Sequence, residues 1–146
     1  TGMIAVLSDA VFPVQLSQYF HSPVDGTTYY FGGFTDIAST NALANIVYLP
    51  YNCTLVGWSF NGRVQTTASS AETSTLNIRV DNTTDVLLSS SITFSLASGF
   101  NNYTASGLST NFNAGSYINA KLVSPSWSTN PTNVGYGLTL WFVRRQ

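Results

Sequence analysis

The stretch "TLVGWSFNGRVQT", Thr54 to Thr66, decides the fold class. Val56, Trp58, Phe60 and Val64 fall on one side of a period-two repeat, and Ser59, Asn61, Arg63 and Gln65 fall on the other. Apolar residues at every second position give a strand one apolar face, whereas a helix would scatter them around its axis. The pattern recurs along the chain. In "STLNIRVD", Leu76, Ile78 and Val80 point inward while Asn77 and Arg79 point outward. In "GSYINAKLVS", Ile118, Ala120 and Leu122 make the apolar face and Asn119 and Lys121 the wet one, while "DVLLSSSITFSL" carries Ile92, Phe94 and Leu96 at period two. Turn signals stand between or beside these runs: Asn61-Gly62, Asp81-Asn82, Ser98-Gly99, Ala114-Gly115 and Asn130-Pro131. Short strands at intervals of about ten residues predict an all-β antiparallel sandwich or barrel. Only "TDIASTNALANIVYLP" offers a helical turn, near Ser39 to Ala44, and it leads into a strand at Ile46 to Leu49 that Pro50 closes.

The last run, "VGYGLTLWFVRRQ", departs from simple alternation. Val134, Tyr136, Leu138, Leu140 and Phe142 form one face, yet Trp141 and Val143 are apolar on the other. A strand with two apolar faces is covered on both. Either a neighbouring subunit supplies the second cover, or the strand is central and a loop overlies it. Gly135 and Gly137 leave room for something to approach the backbone closely.

Composition narrows the function classes. The 146 residues suit a single domain, and 44% apolar content with 14% aromatics marks a chain that buries a core. Charged residues are only 8% of the chain, against about 25% in ordinary soluble domains, with Ser, Thr and Asn in their place. A net charge of −1 gives no steering toward nucleic acid or anionic lipid, and the Arg144-Arg145 pair is too small a patch to supply it. No apolar run reaches the roughly 18–20 residues of a membrane span, so membrane insertion is not expected. No signal-peptide pattern is present. Thr1-Gly2-Met3 reads as the junction left by an excised piece, so a leader ahead of it stays open. Cys53 is the one cysteine, which excludes an intrachain disulfide.

Reactive groups are few. His21 is the only histidine, and no Gly-x-Ser-x-Gly elbow accompanies it, so a polar loop residue is the plainer reading than a catalytic base. Cys53 has no cation beside it in sequence to lower its pKa and reads as a small buried hydrophobe. Asp81 and Asp85 bracket "NTT" and could form an oxygen cage for calcium, but two carboxylates suit turn capping better. The other carboxylates are scattered, and no phosphate loop, zinc spacing or dinucleotide fingerprint occurs. No cofactor, metal site or catalytic activity is expected. Asn52, Asn82 and Asn102 match the N-glycosylation pattern, as chance allows in so Asn- and Thr-rich a chain.

Three stretches in order, "STLNIRVDNTTDVLLSSSITF", "NAGSYINAKLVSPSWSTNPTNV" and "GYGLTLWFV", carry a resemblance. Across its C-terminal two-thirds the chain resembles a family of β-rich viral domains of phage tail fibres, head fibres and other virion-surface proteins. The strand that ends in Pro, x, Trp, x, x, Asn-Pro-Thr is its most specific part. The resemblance implies a jelly-roll-like sandwich working as a homotrimer at a fibre tip. Such a head sits on the virion surface, binds a host-cell receptor, often a carbohydrate, or simply terminates and registers the fibre. It carries over no receptor residues. On this reading residues 1–146 are one sandwich, with residues 1–25 as an extension or a connector to a fibre shaft. The rivals are a purely structural decoration or trimerisation module, a carbohydrate-binding module, and a hydrolase built on His21 or two convergent carboxylates.

Candidate binding residues follow from exposed aromatics and amides. "SGFNNYTASG" offers Phe100, Asn101, Asn102 and Tyr103, and "PVDGTTYYFGGF" offers Tyr29, Tyr30, Phe31 and Phe34. In "KLVSPSWSTNPTN", Trp127 could stack on a sugar with Asn130 and Asn133 hydrogen-bonding beside it. The structural alternative folds the Trp127 ring over the sandwich end, its indole N–H capping a loop carbonyl. Trp58 is read as core. Tyr136, Leu138, Leu140 and Trp141 are the candidate trimer contacts.

Overall fold

The structure, a computed structural model, describes residues 10–32, 40–69, 71–95 and 100–146. Along them run β1 (Val11–His21), β2 (Thr28–Phe31), β3 (Val47–Tyr48), β4 (Cys53–Thr67), β5 (Ser74–Val80), β6 (Thr84–Ile92), β7 (Phe100–Phe112), β8 (Tyr117–Val123) and β9 (Thr132–Arg144). No helix occurs among the described residues. Sheet A has the order β1-β9-β4-β7 and sheet B the order β2-β8-β5-β6, with β3 also on β8. All pairings are antiparallel. Apart from the short β3 and the β5–β6 hairpin, consecutive strands alternate between sheets. That interleaving, which puts the first and last strands side by side in one sheet, is the jelly roll.

Strand β4 shows why the alternating pattern was decisive and where it slips. Trp58, Phe60 and Val64 are buried as expected. A bulge between Leu55 and Gly57 shifts the phase, so Leu55 is fully buried and Val56 only partly. Asn61-Gly62 is no turn but lies inside β4. Gly62 stands there because a Cβ would meet the Phe94 ring at 3.0 Å. The Asp81-Asn82 turn is as expected: Thr83 N–H donates to Val80 C=O, and φ is 48° at Asp81 and 55° at Asn82. Positive φ at both central residues is what a twisted hairpin requires. The Ser98-Gly99 signal and Leu96 lie outside the described residues.

The core fills the space between the sheets. Tyr136 is its hub, with ring centroids 4.9 Å from Phe31, 6.0 Å from Phe60 and 6.0 Å from Phe94. Strand β9 lies between β1 and β4, and only its inner face is covered by the chain itself. Its inner residues Val134, Tyr136, Leu138, Leu140 and Phe142 are all buried, while Trp141 on the outer face keeps 40% of its surface exposed.

Two wet assignments are corrected. Asn119 is buried where the turn at residues 42–45 meets sheet B, its Nδ2 donating to Ala42 C=O at 2.7 Å. Asn77 on β5 is buried as well. Nor are residues 11–21 an appended connector: they form β1 and pair with β9 along its length.

Candidate functional site

The outer face of sheet A combines side chains from strands far apart in sequence. Register sets Arg63 of β4 opposite Gly135 of β9 on one side and Phe100 of β7 on the other. The exposed Arg63 guanidinium carbon lies 5.6 Å from the Phe100 ring centroid and 6.0 Å from that of Phe20. Phe20 reaches across from β1 and lies over Gly135, where a Cβ would meet its ring at 3.1 Å. Tyr19 packs edge-on against Phe20 at 5.8 Å. The result is a row, Tyr19, Phe20, Arg63, Phe100, across all four strands, with Tyr19 68% and Phe100 54% exposed. A guanidinium between aromatic faces is held by cation–π attraction while its N–H edge stays available.

Beside the row lies an open depression of about 230 Å³ lined by Gln15, Ser17, Asn61 and Thr139, with Gly137 as its floor. The side chains of Gln15, Ser17, Asn61 and Thr139 take no hydrogen-bond partner among the described residues. Beyond the depression the same face turns apolar. Pro13 pairs with Trp141 and Val11 with Val143, and Val11 is 54% exposed.

The residues singled out from sequence separate into buried and exposed groups. Phe100 to Tyr103 belong to strand β7 instead of a loop, so alternate side chains face opposite ways. Phe100 and Asn102 are exposed on the outer face. Asn101 binds both backbone groups of Ser95, and the Tyr103 hydroxyl takes Thr93 N–H at 2.9 Å. Tyr29 and Phe31 are buried in β2, Tyr30 is half-buried, and Phe34 lies outside the described residues. Trp127 is buried, so the stacking role is replaced by the structural one. Its indole N–H, however, caps no carbonyl among the described residues; the backbone N–H of Trp127 instead donates to Asp25 at 3.2 Å. Asn130 is exposed in the same loop, and Asn133 donates to Gln65. Of the four candidate trimer contacts, Tyr136, Leu138 and Leu140 face the chain's own core and are closed to a partner. Trp141 remains.

The sequence reading missed Tyr19, Phe20 and Arg63 as site residues. Gly135 and Gly137 carried the available signal, since their missing side chains make the seat for Phe20 and the floor of the depression.

The potentially reactive groups are structurally engaged. His21 Nε2 and the Tyr136 hydroxyl are 2.7 Å apart, and the imidazole packs edge-on against Tyr29 and Tyr136. Burial lowers the His21 pKa to about 4, so the ring is neutral at pH 7. Burial, with the Tyr29 charge second, raises Tyr136 well above the usual phenol range. Cys53 is buried, and burial raises its thiol pKa against the opposing pull of Arg145. Asp81 accepts from Ser116 Oγ and from Tyr117 N–H at 3.0 Å, capping the start of β8. Asp85 pairs with Arg79 and Lys121. Desolvation works to raise the Asp85 pKa, but the hydrogen bonds and charges of Lys121 and Arg79 outweigh it and hold the carboxyl below its ordinary range. The two aspartates thus serve separate partners and form no shared cage. Among the described residues no three His, Cys, Asp or Glu side chains gather as metal ligands.

No protein-family model matches the chain, and no curated protein does. Solved structures are similar to it in fold. The capsid of Ralstonia phage GP4 aligns at 15% identity and TM-score 0.49, over 94% of this chain and 86% of that one. Murine APRIL aligns at 13% identity and TM-score 0.45, over 90% and 99% respectively. The cyanophage Pam1 capsid aligns at 14% identity and TM-score 0.41, over 92% and 85%. Likenesses of this size concern the fold alone, and the strand order of the chain itself defines the jelly roll.

Proposed function

We propose that this chain is a virion-surface domain of the fibre-head type, which attaches its particle to a host-cell surface by non-catalytic binding through the outer face of sheet A. The observation that carries the reading is the row of Tyr19, Phe20, Arg63 and Phe100, exposed at all but the half-buried Phe20, beside a polar depression. Aromatic faces with a few placed amides and hydroxyls suit carbohydrate, whose rings offer C–H faces and hydroxyl edges. The resemblance of the C-terminal two-thirds to viral surface domains points the same way. His21, Cys53, Asp81 and Asp85 are all bound into the fold and supply no convergent set for a hydrolase.

The apolar end of the same face favours a second element of the reading. Trp141, Val143, Val11 and Pro13 form a surface suited to a second copy, and we place the homotrimer contact there. A purely structural decoration or trimerisation module would need only this end. Glycan-array binding by the wild type, Phe100→Ala and Gly137→Val separates the two. Attachment predicts wild-type binding weakened about fivefold by Phe100→Ala, since one stacked ring contributes on the order of 1 kcal/mol, and weakened also by Gly137→Val, whose side chain would enter the depression. Absence of binding to any glycan, with assembly intact, would leave the structural module.

A further inference from the structure

The row's single cation specifies the ligand further. The chain has five Lys and Arg side chains. Arg79 and Lys121 share the Asp85 carboxylate as ion-pair partner. Arg145 donates to Cys53 C=O and to Phe112 C=O at 2.9 Å, and Arg144 stacks 4.1 Å over Tyr51 near the chain end. Arg63 alone lies mid-face between two rings, exposed, with no carboxylate within salt-bridge distance and no hydrogen-bond acceptor among the described residues. In a chain with only 8% charged residues, a long cation in the middle of a neutral sheet face is conspicuous. Holding it between two rings reduces the freedom that a flexible arginine loses when it grips a planar anion.

We infer that the outer face of sheet A binds a carboxylate-bearing saccharide, with Arg63 pairing the carboxylate while Phe100, Phe20 and Tyr19 pack on sugar rings. The inference rests on the attachment reading and names its ligand class. Arg63 offers a planar fork of N–H donors, which fits a carboxylate with two parallel hydrogen bonds, whereas a neutral hydroxyl uses only one. Asn61 and Asn102, cross-strand neighbours on the same face, stand next to the pair formed by Arg63 and Phe100. They supply both donors and acceptors for hydroxyl groups. The net charge of −1 provides no long-range attraction, so selection for the acid comes from this local contact.

The test is calorimetric titration of the intact chain with two matched sets of oligosaccharides, one ending in glucuronic or sialic acid and the other in the corresponding neutral sugars. The wild type, Arg63→Gln, Arg63→Lys and Phe100→Ala are compared, with circular dichroism confirming the fold of each. The inference expects preference for at least one acidic ligand. Arg63→Gln should weaken that binding about tenfold or more, and by clearly more than it weakens binding of the matched neutral ligands, as loss of a charge-assisted bond requires. Arg63→Lys should recover only part of it, and added salt should weaken it. Binding of neutral sugars alone, lost in Phe100→Ala but untouched in Arg63→Gln, would overturn the acidic class and leave the attachment reading standing. No binding of any saccharide would overturn both.

Discussion

Trp127 shows how a residue can mislead by its setting. In sequence it is a large aromatic among serines, threonines and asparagines; in the structure the ring is buried and the polar neighbours face outward. Its role is packing, but its indole N–H has no partner among the described residues, a cost that a phenyl ring avoids. Trp127→Phe is therefore expected to keep or raise the urea midpoint, whereas Trp127→Ala should cost about 3–5 kcal/mol. A loss in Trp127→Phe comparable to that in Trp127→Ala would show that the N–H is satisfied. His21 gives a pH signature. Its folded pKa of about 4 lies below the ordinary 6.5, so between these values the unfolded state binds more protons and stability falls as the pH drops. Above pH 6.5 this contribution is complete and flat. Asp85, also lowered, adds its loss only under more acidic conditions, below its ordinary 3.8. Urea midpoints at several pH values should show the upper fall in the wild type and not in His21→Gln. An unchanged slope in that variant would contradict the assignment.

At the scale of elements, single-strand patterning was legible and its exceptions were not. The inward faces of β4, β8 and β9 follow the alternation of apolar residues, because each packs on the opposite sheet. The burial of Asn119 and Asn77 depends on packing between distant segments and left no local trace. The same holds for the aromatic–guanidinium row. Phe20, Arg63, Phe100 and Gly135 become neighbours only through the register of β1, β4, β7 and β9. A strand of mixed polarity such as β1 hides in sequence because one edge and one face of it meet solvent. The β5–β6 hairpin was visible because Asp and Asn are among the few side chains that tolerate positive φ. Asp81 also holds Tyr117 N–H and Ser116 Oγ, linking that turn to β8. Asp81→Ala should therefore cost about 1–3 kcal/mol, measured by denaturant unfolding, through a strained φ and an unsatisfied N–H. Asp81→Asn should retain most of the stability. Equal losses in the two variants would mean that the side-chain charge dominates.

The whole molecule is a jelly roll, and the proposed roles fall on the outer face of sheet A. The inner faces of both sheets are spent on the core, and the outer face of sheet A divides into an aromatic–guanidinium row, a polar depression and an apolar end. On the proposed reading, assembly and binding use opposite ends of the same sheet. In the sequence the apolar end showed as the two-faced "GLTLWFV" run, and the other end only through Phe100, Asn102, Gly135 and Gly137. Stable association of the proposed kind buries on the order of 2,000 Å² or more, so it should survive dilution. The most direct measurement is absolute mass by light scattering behind a sizing column, for the wild type and Trp141→Glu. The account predicts a wild-type species at three times the 15.7 kDa chain mass, and a folded monomer once a charge replaces Trp141. A wild-type monomer at every concentration, or a trimer indifferent to Trp141→Glu, would contradict it.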